Sequence, residues 1–250
     1  MAGEYTFGDS DLAAERMALV ARVFEASSRA LLARAVPAGA GIALDLGCGP
    51  GHTTRLVAEV CRPRRTVGVD GSERYVELAR AMTPDPTVAF VHHDVTSLPL
   101  PEAPVDVVYA RLLLAHLPDP PGLVERWRSQ LRPGGVVVVD EVESIEAPPG
   151  VLRDSEDLVV ALVAAEGGPM YAGPLLAPLG GDCVEVMVDA AVAARMSGMN
   201  LTTWRDRALG LGLAGPDGLD RVAAGLDRVA DGRDDLAPVR WVLRHLVVRR

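Results

Sequence analysis

An aspartate and three glycines alternate with other residues near the start of the chain: Asp45, Gly47, Gly49 and Gly51. The apolar residues 42–46 indicate a buried strand, and the residues from His52 onward have the apolar spacing of a helix. The segment therefore predicts a strand, a tight turn and a helix. Glycine suits such a turn because it adopts positive φ without steric penalty and lets a ligand approach the backbone. A nucleotide-like ligand fits this geometry.

The glycine spacing discriminates between nucleotide ligands. The dinucleotide fingerprint Gly-x-Gly-x-x-Gly is absent, because its third glycine would fall on His52 or on Thr54. The carboxylate of Asp45 would repel a pyrophosphate but suits a ligand that carries an ammonium and a sulfonium. The stretch resembles motif I of the class I S-adenosylmethionine-dependent methyltransferases, in which the glycine loop supports the methionine half of the cofactor. The resemblance implies that Asp45, Gly47, Cys48 and Gly49 bind S-adenosylmethionine.

A second acidic residue, Asp70, closes the next predicted strand nineteen residues after Gly51. In a doubly wound sheet the end of the second strand lies beside the first, so this carboxylate is expected near the glycine loop. It can accept both ribose hydroxyls of the cofactor. Asp70 and the following Gly71 are therefore predicted to bind the ribose.

Further cofactor contacts are implied by the resemblance. The acid at the position of Asp94 accepts a hydrogen bond from the adenine amino group, and the backbone of Val95 contacts the ring. Arg111 pairs either with the cofactor carboxylate or with an acid of the sheet. The segment Arg111 to Pro120 resembles the ubiquinone-biosynthesis-like methyltransferases, and His116 in it either fixes the loop by hydrogen bonding or acts as a base. Tyr5 either packs against the first helix or belongs to a lid that reaches the cofactor.

The acceptor side is predicted from the acidic end of the fifth strand. Asp140, Glu141 and Glu143 lie at the ligand edge of the sheet, and at least one should face the acceptor pocket. We expect Glu141 and Glu143 to face the insert around Met170 and Tyr171, with Tyr171 closing over the acceptor. Glu141 is also a candidate base. The adjacent His92 and His93 cannot chelate one ion with Asp94, because neighbouring strand residues point to opposite faces, and no metal is expected.

The alternation of strands and helices predicts an α/β fold. The family resemblance, which covers about residues 40–143, implies a doubly wound, seven-stranded, mostly parallel sheet of order 3-2-1-4-5-7-6 with an antiparallel last strand. Along the chain, we expect helices at 9–35, 72–82, 122–131, 151–165, 200–213 and 216–229. Strands are expected at 42–46, 66–70, 87–92, 105–110, 136–143, 184–196 and 239–248.

Length predicts one domain over residues 1–250. We divide it into an N-terminal helical cover (1–36), a cofactor-binding core (40–143), a helical insert that covers the substrate (144–182), and C-terminal strands and helices (183–250). The net charge of −9 argues against a nucleic-acid partner, because binding to phosphates requires clustered cations. No run of eighteen uncharged apolar residues predicts a membrane span, and the acidic start is unlike a signal peptide, so a cytoplasmic location is expected. The oligomeric state is open, with a homodimer as one alternative.

The predicted function is methyl transfer from S-adenosylmethionine to a small-molecule acceptor, either a secondary metabolite or a quinone-like compound, by direct displacement. Two alternatives remain. One keeps the cofactor but catalyses a different reaction, such as a cyclisation, and the other is a binding protein that senses the cofactor. A general base is needed for a hydroxyl acceptor and hardly needed for a neutral amine or an enolate carbon.

Overall fold

The computed structural model describes residues 10–250, and Tyr5 lies outside the described residues. Seven strands are present in this range: β1 (Ile42–Leu46), β2 (Arg65–Asp70), β3 (Val88–His92), β4 (Val105–Arg111), β5 (Leu131–Glu146), β6 (Asp182–Val188) and β7 (Val239–Arg249). The helices are α1 (Asp11–Ala35), α2 (His52–Cys61), α3 (Glu73–Met82), α4 (Pro120–Ser129), α5 (Val151–Ala165), α6 (Gly173–Leu176), α7 (Ala190–Gly210) and α8 (Pro216–Ala230).

The strands form one sheet of order β3-β2-β1-β4-β5-β7-β6, which confirms the predicted order. Strands β1 to β5 are parallel to one another, and β7 runs antiparallel to both β5 and β6. Parallel strands are covered on both faces, which explains the uninterrupted apolar run Val136–Val139, whose side chains are all fully buried. All parallel strands therefore end at one edge, where their last residues meet.

Helices cover both faces of the sheet, as a doubly wound fold requires. On one face, Leu31 and Leu32 of α1 and Val57 of α2 pack against Val107 and Val138 of the sheet. On the other face, α4 contributes its buried side chains to a second cluster. Helices α5, α7 and α8 pack together beside the C-terminal strands. This last group stands over one half of the sheet edge.

The boundary between β6 and α7 corrects the predicted strand at 184–196. Strand β6 ends at Val188, and Asp189 begins the helix by accepting hydrogen bonds from the backbone N–H groups of Ala191 (2.9 Å) and Val192 (3.1 Å). An aspartate in this position satisfies backbone donors that the helix itself leaves open. The alanine-rich run that follows is a strong helix former, so Met196 lies on α7 rather than on a strand.

Strand β5 is longer than the predicted range 136–143. It pairs with β7 from Val136 opposite Arg249 to Glu146 opposite Arg240, and the register shifts between Val142 and Ser144. Such a bulge inserts one residue and changes the face that the following side chains occupy. The alternation of faces along the acidic end of β5 is therefore broken.

Candidate active site

A cavity of about 1230 Å³ lies at the carboxyl edge of the sheet. Pockets for one small ligand are about 300–1,000 Å³, so this cavity has room for two. Its first half, the cofactor half, is lined by Gly47, Cys48, Asp70, Gly71, Ser72, Tyr75, Asp94 and Val95. Its second half, the acceptor chamber, is lined by residues of β5, α5, the α5–α6 connection, α7 and β7: Glu141, Val142, Ile145, Leu152, Glu156, Val159, Val163, Glu166, Gly167, Gly168, Met170, Ala193, Met196, Ser197, Asn200, Arg207, Val239 and Trp241.

The glycine loop adopts a conformation that other residues would strain. Gly47, Gly49 and Gly51 have φ values of 67°, 50° and 82°. A Cβ on Gly51 would lie 2.9 Å from the Phe90 ring, and one on Gly49 would lie 2.2 Å from Met17 Cε of α1. Glycine is therefore required both for backbone conformation and for close packing. The loop and its flanking strand and helix match the prediction.

Asp70 fixes the glycine loop while lining the cavity. Its Oδ2 accepts a hydrogen bond from Gly49 N and its Oδ1 accepts one from Ser72 N, both at 2.8 Å. The carboxylate thus joins the end of β2 to the loop that follows β1, as the nineteen-residue spacing indicated. Its place in the cofactor half fits the predicted ribose contact.

Asp45 lies beneath the loop rather than in the cavity wall. It is buried, and its Oδ2 accepts hydrogen bonds from the hydroxyls of Thr53 and Thr54, both at 2.7 Å. Burial raises the pKa of Asp45 to about 6, and the two threonine hydroxyls oppose that rise. The geometry gives Asp45 a clear role in anchoring the start of α2 behind the glycine loop.

Asp94 and Val95 lie together at the end of β3 and line the cofactor half. Asp94 Oδ1 accepts hydrogen bonds from Thr96 Oγ1 (2.7 Å) and Thr96 N (2.8 Å), which lower the pKa of Asp94. The carboxylate is exposed and ionised at neutral pH. It is placed to accept a hydrogen bond from a ligand amino group.

Arg111 closes β4 and lines the cavity between its two halves. Its Nη1 donates to Ser28 Oγ at 3.4 Å, and Ser28 Oγ donates to Asp140 Oδ2 at 2.7 Å. Asp140 is fully buried and also lies 3.4 Å from His245 Nε2. Arg111 is thus linked through Ser28 to a sheet acid, which is one of its two predicted partners.

His116 lies in the short 3-10 helix Leu114–His116 and lines the cavity. Burial, together with the positive charge of Arg16, lowers its pKa to about 4. The imidazole is therefore neutral at neutral pH. A ring with so low a pKa is a weak base but retains its capacity for hydrogen bonding.

Glu141 is fully buried at the end of β5 and lines the acceptor chamber. Its Oε1 accepts hydrogen bonds from the backbone N–H groups of Leu113 and Leu114, both at 2.6 Å. Its Oε2 has no hydrogen-bond partner among residues 10–250. Burial raises the pKa of Glu141 to about 8, although the backbone N–H groups oppose the rise. Of the four acids on β5, Asp140, Glu141, Glu143 and Glu146, only Glu141 lines the chamber.

Glu143 does not face the chamber, which corrects the prediction. Its Oε2 lies 2.7 Å from Arg244 Nε on β7, and it is not among the cavity-lining residues. Alternation from Glu141 would place both acids on one face, but the bulge between Val142 and Ser144 redirects the chain.

Met170 lines the chamber as predicted, whereas Tyr171 stands behind its wall. The hydroxyl of Tyr171 donates to Glu156 Oε1 at 2.8 Å, and Glu156 in turn lines the chamber. The ring packs beside the cluster of Phe24, Val142 and Leu243. Tyr171 therefore reaches the chamber only through Glu156 and does not close over it.

Sequence reasoning predicts α5 within the insert that covers the substrate but misses the first turns of α7, which form the facing wall of the chamber. The lining residues of α5 recur at helical spacing, as do those of α7, where Ala193, Met196, Ser197 and Asn200 lie on one face. The α5 spacing was visible in the sequence. The α7 face was hidden because its first turns were interpreted as strand.

Among residues 10–250 there is neither a group of side chains suited to a metal ion nor a helix suited to crossing a membrane. Within residues 10–250, no three His, Cys, Asp or Glu side chains are grouped so that they could hold a metal ion. Among the helices of the same range, none has the length and apolarity needed to cross a membrane.

Comparison with known proteins agrees with this geometry. Residues 44–139 match the family model described as a methyltransferase domain. The chain is 36% identical over 145 residues to trans-aconitate 2-methyltransferase of Methylobacterium radiotolerans, covering 58% of this chain and 55% of the relative. The chain thus spans about half the length of the curated relatives that it matches.

Two solved structures share the fold. A methyltransferase of Geobacter sulfurreducens in complex with S-adenosylhomocysteine has a TM-score of 0.52 at 20% identity, covering 90% of each chain. The YcgJ protein of Bacillus subtilis has a TM-score of 0.55 at 17% identity, covering 89% of this chain and 96% of its own. Together, the strand order, the site at the sheet edge and the family match show that residues 44–139 form a methyltransferase domain and that the chain has the Rossmann-like methyltransferase fold.

Proposed function

We propose that this chain transfers a methyl group from S-adenosylmethionine to a small-molecule acceptor bound in the acceptor chamber. The observation that carries the proposal is the continuity of the cavity. Its cofactor half holds Asp70 and Asp94 at the ends of adjacent strands, and its second half opens between α5 and α7 with mostly apolar walls. Glu141 lies where β5 enters the chamber.

The residues present fit the cofactor. Asp70 would hold the ribose hydroxyls, Asp94 the adenine amino group, and the glycine loop the amino acid part, since Gly47 and Cys48 of the loop line the cavity. Arg111 would reach the carboxylate. When bound, S-adenosylmethionine supplies an activated methyl group, because its sulfonium is a good leaving group.

The protein's own contribution is positioning and exclusion of water. Holding two reactants in a defined arrangement replaces a bimolecular encounter by an intramolecular step. The apolar walls of the chamber, with Val142, Leu152 and Val159, keep water from the acceptor. Glu141 Oε2 and the neutral imidazole of His116 are the two cavity-lining groups in the described range best placed to receive a proton or to orient the acceptor.

A second candidate is methylation of trans-aconitate, which the matching relatives carry in their names. Its support is sequence identity over about half of this chain. The acceptor chamber argues against it, because trans-aconitate is a tricarboxylate and Arg207, the one arginine of the chamber wall within residues 10–250, already pairs with Glu166 at 2.6 Å, while Arg16 and Arg111 line the cavity outside that wall. Cyclisation without methyl transfer and cofactor sensing without turnover are further alternatives.

The test is a screen of fractionated cell extract with methyl-labelled S-adenosylmethionine. Methyl transfer predicts a labelled product that is heavier than its precursor by one CH₂ group, together with an equal amount of S-adenosylhomocysteine. A product of unchanged composition would indicate the cyclisation alternative. Binding of the cofactor without turnover in any fraction would indicate a sensor.

A further inference from the structure

The charge of the acceptor chamber is unbalanced. Among its lining residues in the described range, the charged groups are Glu141, Glu156, Glu166 and Arg207. Arg207 Nη2 lies 2.6 Å from Glu166 Oε1, and this pair sits at the more exposed rim. Glu141 and Glu156 are therefore left without a cation from the chamber wall. A ligand of positive charge would restore the balance.

Among residues 10–250, neither of these two carboxyl groups forms an ion pair with a cation, although the charge of Arg153 lowers the pKa of Glu156 from a distance. Glu141 is held by two backbone N–H groups, and Glu156 by the hydroxyl of Tyr171. The cation nearest to Glu156 on its own helix, Arg153, donates to the carbonyl of Ala147 at 3.1 Å. Burial raises the pKa of both glutamates. Removing an acid from water without a counter-ion is unfavourable, and a bound cation relieves that penalty.

Two buried hydrogen-bond acceptors in the chamber also favour a ligand with N–H donors. Glu141 Oε2 is buried and has no partner among residues 10–250, and the same is true of Asn200 Oδ1 on the facing helix α7. Both residues line the chamber. Two open acceptor atoms fit a ligand group with several N–H donors.

The remaining walls suit an apolar body. Val142, Val159, Met196 and Trp241 are among the lining residues, and the indole of Trp241 packs at 56° to the ring of Phe24 with ring centroids 5.0 Å apart. An indole face also attracts a cation through its negative electrostatic potential. Apolar surface, an aromatic ring and unpaired carboxyl groups occur together.

We propose that the acceptor is an amine on a largely apolar body, whose nitrogen is held by Glu141 and Glu156. This inference rests on the proposed methyl transfer and names its substrate class. The amine enters as an ammonium ion, and its positive charge favours the ionised form of Glu141, which releases its proton to solvent as the ion pair forms. The amine must lose one proton before its nitrogen can act as a nucleophile, and Glu141 Oε2 receives that proton. The proton transfer leaves the chamber's charge unchanged. The amine nitrogen then bonds to the methyl carbon as the carbon–sulfur bond breaks, and the products are a methylated ammonium ion and S-adenosylhomocysteine.

The proposal excludes polycarboxylate acceptors. A carboxylate in this chamber would oppose ionisation of Glu141 and Glu156, because like charges at short range are repulsive. Arg207, the one arginine of the chamber wall within residues 10–250, already pairs with Glu166. Arg16 and Arg111 line the cavity on α1 and β4, outside the chamber walls. The substrate named by the relatives is therefore disfavoured here by charge.

The test uses three probes that share one apolar body and differ in head group: 2-phenylethylamine, 2-phenylethanol and 3-phenylpropanoate. Each is titrated calorimetrically into the full chain saturated with S-adenosylhomocysteine. We expect the amine to bind at least tenfold more tightly than the alcohol, with no detectable binding of the carboxylate. Equal binding of amine and alcohol, preference for the carboxylate, or binding of none of the three would overturn the proposal.

Variants separate this proposal from the proposed function. Glu141→Gln and Glu156→Gln should each reduce the preference for the amine at least fivefold while S-adenosylhomocysteine affinity stays the same. Glu143→Gln, whose carboxylate lies outside the chamber, is the matched control and should leave the preference unchanged. If S-adenosylhomocysteine itself does not bind, the proposed function fails, and the same three probes titrated into the protein alone still decide the head-group preference. A preference for amine that survives both chamber variants would contradict the assignment.

Discussion

Replacing Glu141 by glutamine should change how the stability of the protein depends on pH. The pKa of Glu141 rises from 4.5 to about 8 on folding because the carboxyl group is buried. Between these values the folded protein binds a proton that the unfolded chain has released. The free energy of unfolding therefore falls as pH rises from 4.5 to 8. The stabilisation that the bound proton provides is fully present only below pH 4.5. Glutamine cannot ionise, so the variant lacks this contribution.

The expected magnitude follows from the pH interval. Each pH unit inside the window corresponds to about 1.4 kcal/mol. From pH 5.5 to 7.5, the free energy of unfolding of Glu141→Gln minus that of the wild type should grow by roughly 3 kcal/mol. Burial raises the pKa of Asp45 as well, to about 6, and both proteins share that contribution, so it cancels in the difference. An unpaired amide in place of Oε2 would change the variant's free energy of unfolding by the same amount at every pH. The dependence of that free energy on pH would stay the same.

The assay is urea unfolding at pH 5.5, 6.5 and 7.5, followed by tryptophan fluorescence, since Trp127 and Trp204 are fully buried. The matched control is Glu143→Gln on the same strand, which removes the partner of Arg244 and should not reproduce the slope. Parallel stability curves for Glu141→Gln and wild type would refute the reasoning, because they would show that Glu141 binds no extra proton on folding.

Three further predictions concern the cofactor and the chamber wall. Asp70→Ala should raise the dissociation constant for S-adenosylhomocysteine about 10- to 150-fold, corresponding to about 1.5–3 kcal/mol for a lost charged hydrogen-bond partner, measured by calorimetry. Gly51→Ala should destabilise the fold by roughly 2–4 kcal/mol in urea unfolding, because its φ is 82° and the new Cβ would lie 2.9 Å from Phe90. Tyr171→Phe removes the hydroxyl that holds the carboxylate of Glu156 in position. The acceptor KM should therefore rise about fivefold in steady-state kinetics, while cofactor affinity is unchanged.

Controls for these variants come from the same chain. Asp85→Ala removes an exposed carboxylate that only bonds Thr87, and should leave cofactor affinity unchanged. Gly39→Ala has a similar φ of 80° with nothing within 4 Å of the new Cβ, so it should destabilise by only about 1–2 kcal/mol. Unchanged cofactor affinity in Asp70→Ala, equal effects of the two glycine variants, or a loss of cofactor binding in Tyr171→Phe would contradict the respective assignments.

The cofactor half could be predicted from sequence because its residues are tied to regular features. Asp70 ends β2 and Asp94 follows the end of β3 by two residues, and strand ends of a parallel sheet meet at one edge. The glycine loop is set by local backbone requirements that the sequence states directly. Site residues whose positions follow from local backbone geometry can therefore be predicted without knowledge of tertiary contacts.

The acceptor chamber could not be predicted to the same degree. The sequence places Glu143 with Glu141 at the ligand edge of the sheet, but one extra residue in β5 redirects Glu143 to Arg244. The strand predicted at 184–196 began with a true alternating pattern, but the cap at Asp189 ended it. The hydroxyl of Tyr171 donates to the carboxylate of Glu156, and no rule of sequence spacing connects these two residues. Bulges, caps and side-chain contacts between distant helices are set by tertiary packing.

The central claim is that the glycine loop, Asp70 and Asp94 form a site for S-adenosylmethionine. The most direct measurement is calorimetric titration of the wild-type chain with S-adenosylmethionine and, separately, with NAD. The account predicts saturable binding of S-adenosylmethionine at a single site, weakened in Asp70→Ala, and no heat of binding with NAD. Binding of NAD without binding of S-adenosylmethionine would contradict it.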